Sequence, residues 1–435
     1  MRQLGTEDWA QLYAHVSAEA ESLVRAEHEN VVRVFQVSYA PDQSAFYIVM
    51  ERCDTSLSKT TAELPLSTSM AGAIARGALA GLEAHLQLTP AEREGARRAE
   101  EQGLPIAITP YYLSLCDRVD PTCPIRRQCV PVADEGHTVP GDLEDPLGEV
   151  AHEVAPHLVQ RYPDRVLLLA TDHCAVYCRF CTRSRIVGDG AGAVPDDRLE
   201  PALAWIREHP AIHDVILSGG DPLAMATDRL ARLVERVRAI PHVDTIRLAT
   251  RVPVTLPMRV TPELVRALRP FHPLWVMTHF NHPKELSPLA IEACERLADA
   301  GFPVMNQTVL LRGVNDDAGT LERLFRGLVR ARVRPYYLLQ ADPVRGSGHL
   351  RTPIATGLAI MEALQGRLSG IALPKLICDT PGGLGKVPLT PDYVVARGDG
   401  RTTLRTFRGQ IVDYVDPPDL PGPEHAHHTN GHTNG

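Results

Sequence analysis

From about residue 166 the chain alternates short apolar, β-branched runs with amphipathic helical stretches, and this pattern restricts its fold most. The strand-like runs are Val166–Thr171, Asp214–Ser218, Thr245–Thr250, Leu274–His279, Val304–Leu310 and Pro335–Gln340. Helical patterns lie between them at Asp197–Glu208, Ala226–Ile240, Pro262–Leu268, Ser287–Ala300 and Ala318–Arg332. In the last, Leu321, Leu324, Phe325 and Leu328 recur at helical spacing and form an apolar stripe. Six βα units at roughly thirty-residue intervals predict an α/β fold, a parallel barrel or a doubly wound sheet. Six units rather than eight favour a partial (βα)6 barrel. Polar and glycine residues gather at the C-terminal strand ends: Ser218-Gly-Gly-Asp221, His279, Gln340 and Asp342. In a parallel barrel those ends form one face, where active sites sit.

The first strand run opens into Asp172-His-Cys-Ala-Val-Tyr-Cys-Arg-Phe-Cys-Thr-Arg183, which places Cys174, Cys178 and Cys181 within eight residues. Soft thiolates bind iron–sulfur clusters, zinc or copper(I), and cubane clusters normally take four. A C-x3-C-x2-C spacing with no fourth cysteine nearby leaves one metal corner open for a substrate or cofactor. Structural zinc wants a second pair of ligands, which this loop does not supply. The trio Cys116, Cys123 and Cys129, at C-x6-C-x5-C spacing, reads instead as ordinary thiols.

Composition narrows the class further. Net charge is −8 without a long basic run, so neither nucleic acid nor membrane is an implied partner. Nine cysteines, an odd number scattered over 435 residues, fit reduced thiols and a cytoplasmic protein. Of the 45 basic residues only Lys59, Lys284, Lys375 and Lys386 are lysines, so chemistry that needs an amine has few candidates. Lys386 ends a Gly-Gly-Leu-Gly loop and can form an imine there. Residues 391–401 and 405–414 carry turn signals and alternation typical of a small β appendage, and 418–435 read as a disordered tail.

From about Leu86 to Pro417 the sequence resembles the radical S-adenosylmethionine aminomutases of the lysine 2,3-aminomutase group. The likeness rests on Ala107-Ile-Thr-Pro-Tyr-Tyr-Leu-Ser114, Asp142-Leu-Glu-Asp-Pro-Leu147, Arg161-Tyr-Pro-Asp-Arg165, the cysteine loop and Leu217-Ser-Gly-Gly-Asp221. It continues through Thr278-His-Phe-Asn-His282, Asn306-Gln307, Leu311-Arg-Gly-Val-Asn-Asp316, Arg334-Pro-Tyr-Tyr337 and Asp379-x-Pro-Gly-Gly-x-Gly-Lys386. The resemblance implies that Cys174, Cys178 and Cys181 hold a [4Fe–4S] cluster whose open iron takes S-adenosyl-L-methionine. Ser218, Gly219, Gly220, Asp221, His279 and Gln307 would contact that cofactor. Lys386 would carry pyridoxal 5′-phosphate, with Arg161, Tyr162 and Arg165 at its phosphate end.

Arg183 would clamp a substrate carboxylate, and Asp342 and Asp379 would receive a side-chain ammonium. Two buried carboxylates without a cation are costly, so the pair points to a basic substrate. Lysine is favoured, with arginine, ornithine or another amino acid as alternatives. A mutase acting on a translation-factor lysine is a weaker reading. Two positions depart from the group's pattern: Leu339 replaces a tyrosine and Leu384 a glycine. Lys375 shares a strand face with Asp379, roughly 13 Å along the strand. The resemblance further implies a small-molecule amino acid substrate, an electron donor such as flavodoxin or ferredoxin, and a homo-oligomer.

The expected layout is a kinase-like, non-catalytic fragment at 1–80, an N-terminal helical aminomutase segment at 81–165 and the radical SAM barrel at 166–345. A C-terminal pyridoxal- and substrate-binding region follows at 346–417. The first fragment is defined by His28-Glu-Asn-Val-Val-Arg-Val-Phe35 and Phe46–Thr55, which resemble a protein kinase from its C-helix, near Glu19, to its hinge. It has no glycine-rich loop, strand lysine or His-Arg-Asp motif, so it cannot transfer phosphate by that mechanism. An inactive, pseudokinase-tethered regulatory protein is the alternative from another class.

Overall fold

The computed structural model describes residues 34–40, 45–50, 81–101, 106–188 and 192–417. Of the kinase-like stretch it describes two antiparallel strands, β1 (Val34–Ala40) and β2 (Ala45–Met50). Glu19 and the tail at 418–435 lie outside the described residues.

The main sheet has ten strands. They are β3 (Glu153–Ala155), β4 (Leu158–Tyr162), β5 (Arg165–Thr171), β6 (Asp214–Gly219) and β7 (Thr245–Ala249), then β8 (Leu274–Thr278), β9 (Val304–Leu310), β10 (Arg334–Gln340), β11 (Lys375–Asp379) and β12 (Lys386–Leu389). They lie side by side in chain order. Strands β5 to β11 run parallel, while the β3–β4 hairpin and β12 add antiparallel edges. Six predicted strands match observed ones to within a residue at each end. The hairpin before β5 was not predicted.

Crossover helices follow the predicted stripes at α2 (Asp196–Glu208), α3 (Thr227–Arg238), α4 (Pro262–Leu268), α5 (Pro288–Asp299) and α6 (Ala318–Arg330); α1 (Pro90–Glu101) precedes them, and α7 (Ile354–Leu364), between β10 and β11, had no predicted counterpart. Helix α6 starts where the Asp317 side chain accepts from the Thr320 amide at 2.8 Å. It buries Leu321, Leu324, Phe325 and Leu328, each worth about 1.5–3 kcal/mol of transfer free energy. Ser287 and Thr261 cap α5 and α4 in the same way.

The sheet is curled, and among the described residues no backbone ladder pairs its two edge strands; side chains join its two sides. Arg161 on β4 pairs with Asp379 on β11, although seven strand spacings would separate them by roughly 34 Å in a flat sheet. The Lys386 amide of β12 donates to the Tyr162 hydroxyl at 2.8 Å. These contacts stitch the two sides of the partial barrel together. Because β11 and β12 are hydrogen-bonded members of this sheet, Lys386 stands on the barrel's own edge strand. The predicted β appendage is a separate sheet, β13 (Val394–Gly398), β14 (Arg401–Arg405) and β15 (Ile411–Val415). It meets α7 through the Arg405–Glu362 pair.

Candidate active site

The three cysteines occupy the loop that leaves the C-terminal end of β5. Gly219 and Gly220 bring the end of β6 against this loop: a Cβ on either would lie 2.3 Å from the Thr171 carbonyl or 2.2 Å from that of His173. Gly219 also has a φ of +105°, which favours glycine. The amides of Gly220 and Asp221 donate to Thr171 and His173 at 2.6 Å. The glycines thus let chain approach chain, and both amides are spent on the cysteine loop. The Asp221 carboxylate points away toward the end of β7, accepting from the Thr250 hydroxyl and the amides of Arg251 and Val252.

Among the described residues no group of three His, Cys, Asp or Glu side chains is gathered closely enough to hold a single metal ion. A cubane places each thiolate on a different iron, so its ligands need not converge on one point. Burial, then the neighbouring thiols, push the Cys174 thiol well up, and burial pushes Cys181 up to about 11. Thiols so desolvated become ligands only when a metal takes their protons. This donor set fits a cluster. Near it, burial and the Arg251 charge hold the His279 imidazole down to about 3, so it is neutral. Its Nε2 is shut from solvent without a partner, an orphaned atom that fits a bound cofactor. Gln307 is half-buried on the face of β9 opposite Asn306 and Thr308.

Arg251 and Glu285, not anticipated from the sequence, form a buried centre under the cysteine loop. The Arg251 guanidinium donates to Cys178 Sγ at 2.7 Å, Glu285 at 2.8 Å, Gln128 at 2.6 Å and the Tyr112 hydroxyl at 3.0 Å. The available signal was positional: Arg251 immediately follows a strand end. In the second cysteine trio, Cys116 Sγ and Cys129 Sγ are 3.9 Å apart, and Cys123 accepts from the Asp117 amide.

The second centre lies at the barrel seam. Asp379 and Lys386 are direct cross-strand partners on β11 and β12, and their side chains form an ion pair. The same carboxylate takes Arg161. Burial pushes Asp379 up, but Lys386 and Arg161 outweigh it and hold the carboxyl below its ordinary value. The cations that offset Asp379 are therefore internal, and neither is Lys375, which is exposed. Arg165 diverges from Arg161, stacking 4.6 Å above the Tyr162 ring and pairing with Asp164 at 3.0 Å. The Lys386 loop needs glycine at Gly382, Gly383 and Gly385, where φ is +78°, +80° and +106°. Leu384 sits at φ −73°, a conformation any residue adopts, so the departure there is sterically free. Among the described lysines, Lys284 and Lys375 are exposed while Lys386 is drawn into the site. A half-exposed amine ending a glycine loop, with Tyr162 beside it, fits pyridoxal phosphate.

The proposed substrate residues sit between the two centres. Glu149, nearly fully buried, holds Arg183 at 2.8 Å, while Arg183 Nη1 donates to Ser218 Oγ at 3.3 Å. Asp342 follows β10. Burial and then the Asp379 charge push its carboxyl up to about 7, with Lys386, Arg161 and Arg183 pulling the other way. Leu339, in register with Val309 and Ile377, is half-buried on β10.

A curled parallel sheet with an open thiol triad at its C-terminal edge is the framework of a radical S-adenosylmethionine enzyme, and residues 168–324 match the radical SAM superfamily. Residues 361–434 match the lysine-2,3-aminomutase family. The L-lysine 2,3-aminomutase of Fusobacterium nucleatum is 48% identical over 336 residues, 77% of this chain and 79% of that protein. That of Acetoanaerobium sticklandii is 47% identical over 336 residues, covering 77% and 81%. The glutamate 2,3-aminomutase of Clostridioides difficile is 40% identical over 333 residues, covering 77% and 78%. The chain belongs to the lysine 2,3-aminomutase family. It is an aminomutase, an isomerase that uses a [4Fe–4S] cluster, S-adenosylmethionine and pyridoxal phosphate. No helix among the described residues is long and apolar enough to cross a membrane.

Proposed function

We propose that the protein is a 2,3-aminomutase for a basic amino acid, L-lysine, moving its α-amino group to the β-carbon. One observation carries the substrate class. Among the described residues Asp342 has no ion pair or hydrogen bond from its carboxylate, yet burial and Asp379 raise it to about 7. A desolvated carboxylate beside a second one is relieved by an incoming cation. A substrate ammonium supplies that cation, whereas a glutamate side chain would add a third negative charge.

The cysteines hold the cluster, and Ser218, Gly219, Gly220, Asp221, His279 and Gln307 form the surroundings of S-adenosylmethionine. Asp221 acts there through the backbone it fixes. Lys386 holds pyridoxal phosphate, with Arg161, Tyr162 and Arg165 at its phosphate. When bound, these groups supply a 5′-deoxyadenosyl radical and a conjugated system that delocalises the substrate radical. The chain's own part is placement. Arg183, braced by Glu149, orients the substrate carboxylate, and Asp342 fixes the far end. The β-carbon is thereby held between the two centres, and water is kept out.

We also propose the finer features around this activity. The electron donor is a flavodoxin or ferredoxin, the assembly is a homo-oligomer, and the compartment is the cytoplasm. The division at residues 80, 165, 345 and 417 stands as a functional one, with 1–80 non-catalytic. The test is anaerobic incubation of reconstituted protein with lysine, arginine, ornithine or glutamate, followed by amino-acid analysis. β-Lysine as the main product is expected. A β-product from glutamate alone would refute the substrate class, and loss of activity on deleting residues 1–78 would refute the non-catalytic fragment.

A further inference from the structure

We propose that Arg251 is the positioning residue of the cluster, fixing the Cys178 sulfur and raising the reduction potential through a charged hydrogen bond. Arg251 lies two residues beyond the end of β7. Its amide is held by Asp221 at 2.6 Å, its Nε donates to the His279 carbonyl at 3.2 Å, and it is 7% exposed. The rings of Tyr112 and Phe180 each lie 5.4 Å from the guanidinium carbon. Nη2 serves Glu285, Gln128 and Tyr112, all within the fixed frame. Among the described residues Nη1 has one partner, the Cys178 sulfur at 2.7 Å.

That division of labour is informative. A counterion for Glu285 needs only one edge of the guanidinium, and that edge is already engaged. A neutral thiol is a weak acceptor, so a desolvated Arg N–H aimed at one is poorly satisfied. A metal-bound thiolate accepts a charge-assisted bond and repairs the deficit. The frame behind Arg251 is rigid. Glu285 is fully buried and also accepts from the Tyr112 hydroxyl and the amides of Asn281 and His282. Gln128 donates to Glu285 and takes the Asn281 side chain. The cation therefore cannot follow the sulfur, and the sulfur is held by the cation. Reduction adds a negative charge to the cluster. A fixed positive charge at a ligand sulfur stabilises the reduced form more than the oxidised one, so the potential rises.

The experiment is a redox titration of the reconstituted holoenzyme by electron paramagnetic resonance, comparing wild type, Arg251→Lys and Arg251→Gln at equal iron content. Arg251→Gln is expected to shift to a more negative potential with changed g-values, and Arg251→Lys to stay near wild type. Because Arg251→Gln strands Glu285, the double variant Arg251→Gln/Glu285→Gln, which leaves no charge unpaired, repeats the measurement. A negative shift is expected from it as well, smaller than that of Arg251→Gln because removing the Glu285 charge partly offsets the lost cation. A lowered melting temperature of the apoprotein with unmoved potential and g-values would reduce Arg251 to a structural role and overturn the proposal. This inference rests on the cluster assignment. Wild-type protein that takes up no iron would defeat both, whereas a loaded wild type with unshifted variants defeats this one alone.

Discussion

Around Cys178 the chain supplies a partner for nearly every buried polar atom, whereas around Asp342 it leaves one carboxylate short. Arg251, Glu285, Gln128, Tyr112 and Asn281 form a closed set in which each charge meets its opposite inside the frame. At the seam, Asp379 takes both available cations, and Asp342 faces it with none in contact. The contrast separates what must stay fixed from what must change. A cluster is permanent, so its surroundings can be completed during folding. A substrate comes and goes, so the residue that recognises it has to bear an unmet charge in the interval.

The largest effect is expected from removing the amine at the seam. Lys386→Ala should lose the pyridoxal absorbance and at least roughly a thousandfold of turnover, while the cluster absorbance stays. Retention of both bands would show that the two centres do not divide as described. On the closed side, Glu285→Gln strands Arg251 and should lower stability by about 3–5 kcal/mol. Denaturant unfolding of the apoprotein measures this, and an unchanged midpoint would break the comparison.

Asp342→Asn should do the reverse. It removes a desolvated charge, so the melting temperature should hold or rise. Yet kcat/KM for lysine should fall roughly 10–100-fold, the value of a charged hydrogen bond. A fall in stability would mean that Asp342 is structural. The pH dependence sharpens the point. With its carboxyl at about 7 in the empty folded site, Asp342 loses charge as pH falls, and kcat/KM for lysine should drop about tenfold per unit below that value. The stability sign is opposite. The folded chain binds this proton more tightly than the unfolded chain, so the group's contribution weakens as pH rises from its ordinary range toward 7. A flat kcat/KM profile between pH 6 and 8 would remove Asp342 from substrate recognition. The smallest effect belongs to Leu384→Gly, which should cost about 0.5–1 kcal/mol of stability through the unfolded chain alone and leave turnover unchanged.

Local periodicity made most of the fold legible. The α6 stripe and the alternating runs of β5 and β9 carry their burial in their own spacing, so strands and helices could be bounded from sequence. The cysteine loop and Lys386 were legible for a related reason: each is a short segment whose chemistry is complete in itself. The β3–β4 hairpin was not, because its pairing gains meaning only against β5. Nor were Arg251 and Glu285 visible as a centre, since Tyr112, Gln128, Arg251 and Glu285 come from well-separated segments and share no local pattern. The neutralisation of Asp379 shows the same limit. Along its own strand the nearest cation is Lys375, but the partners are Lys386, opposite in register, and Arg161, 218 residues earlier. Folding, not sequence distance, chooses them.

The seam joins two properties that most barrels keep apart. Where a sheet closes by backbone ladders, the container is finished before anything is put in it. Here Arg161, Tyr162, Asp379 and Lys386 are both the clasp and the furnishing. A ligand that engages either cation draws on bonds that hold the cylinder shut, so how tightly the vessel closes depends on what it contains.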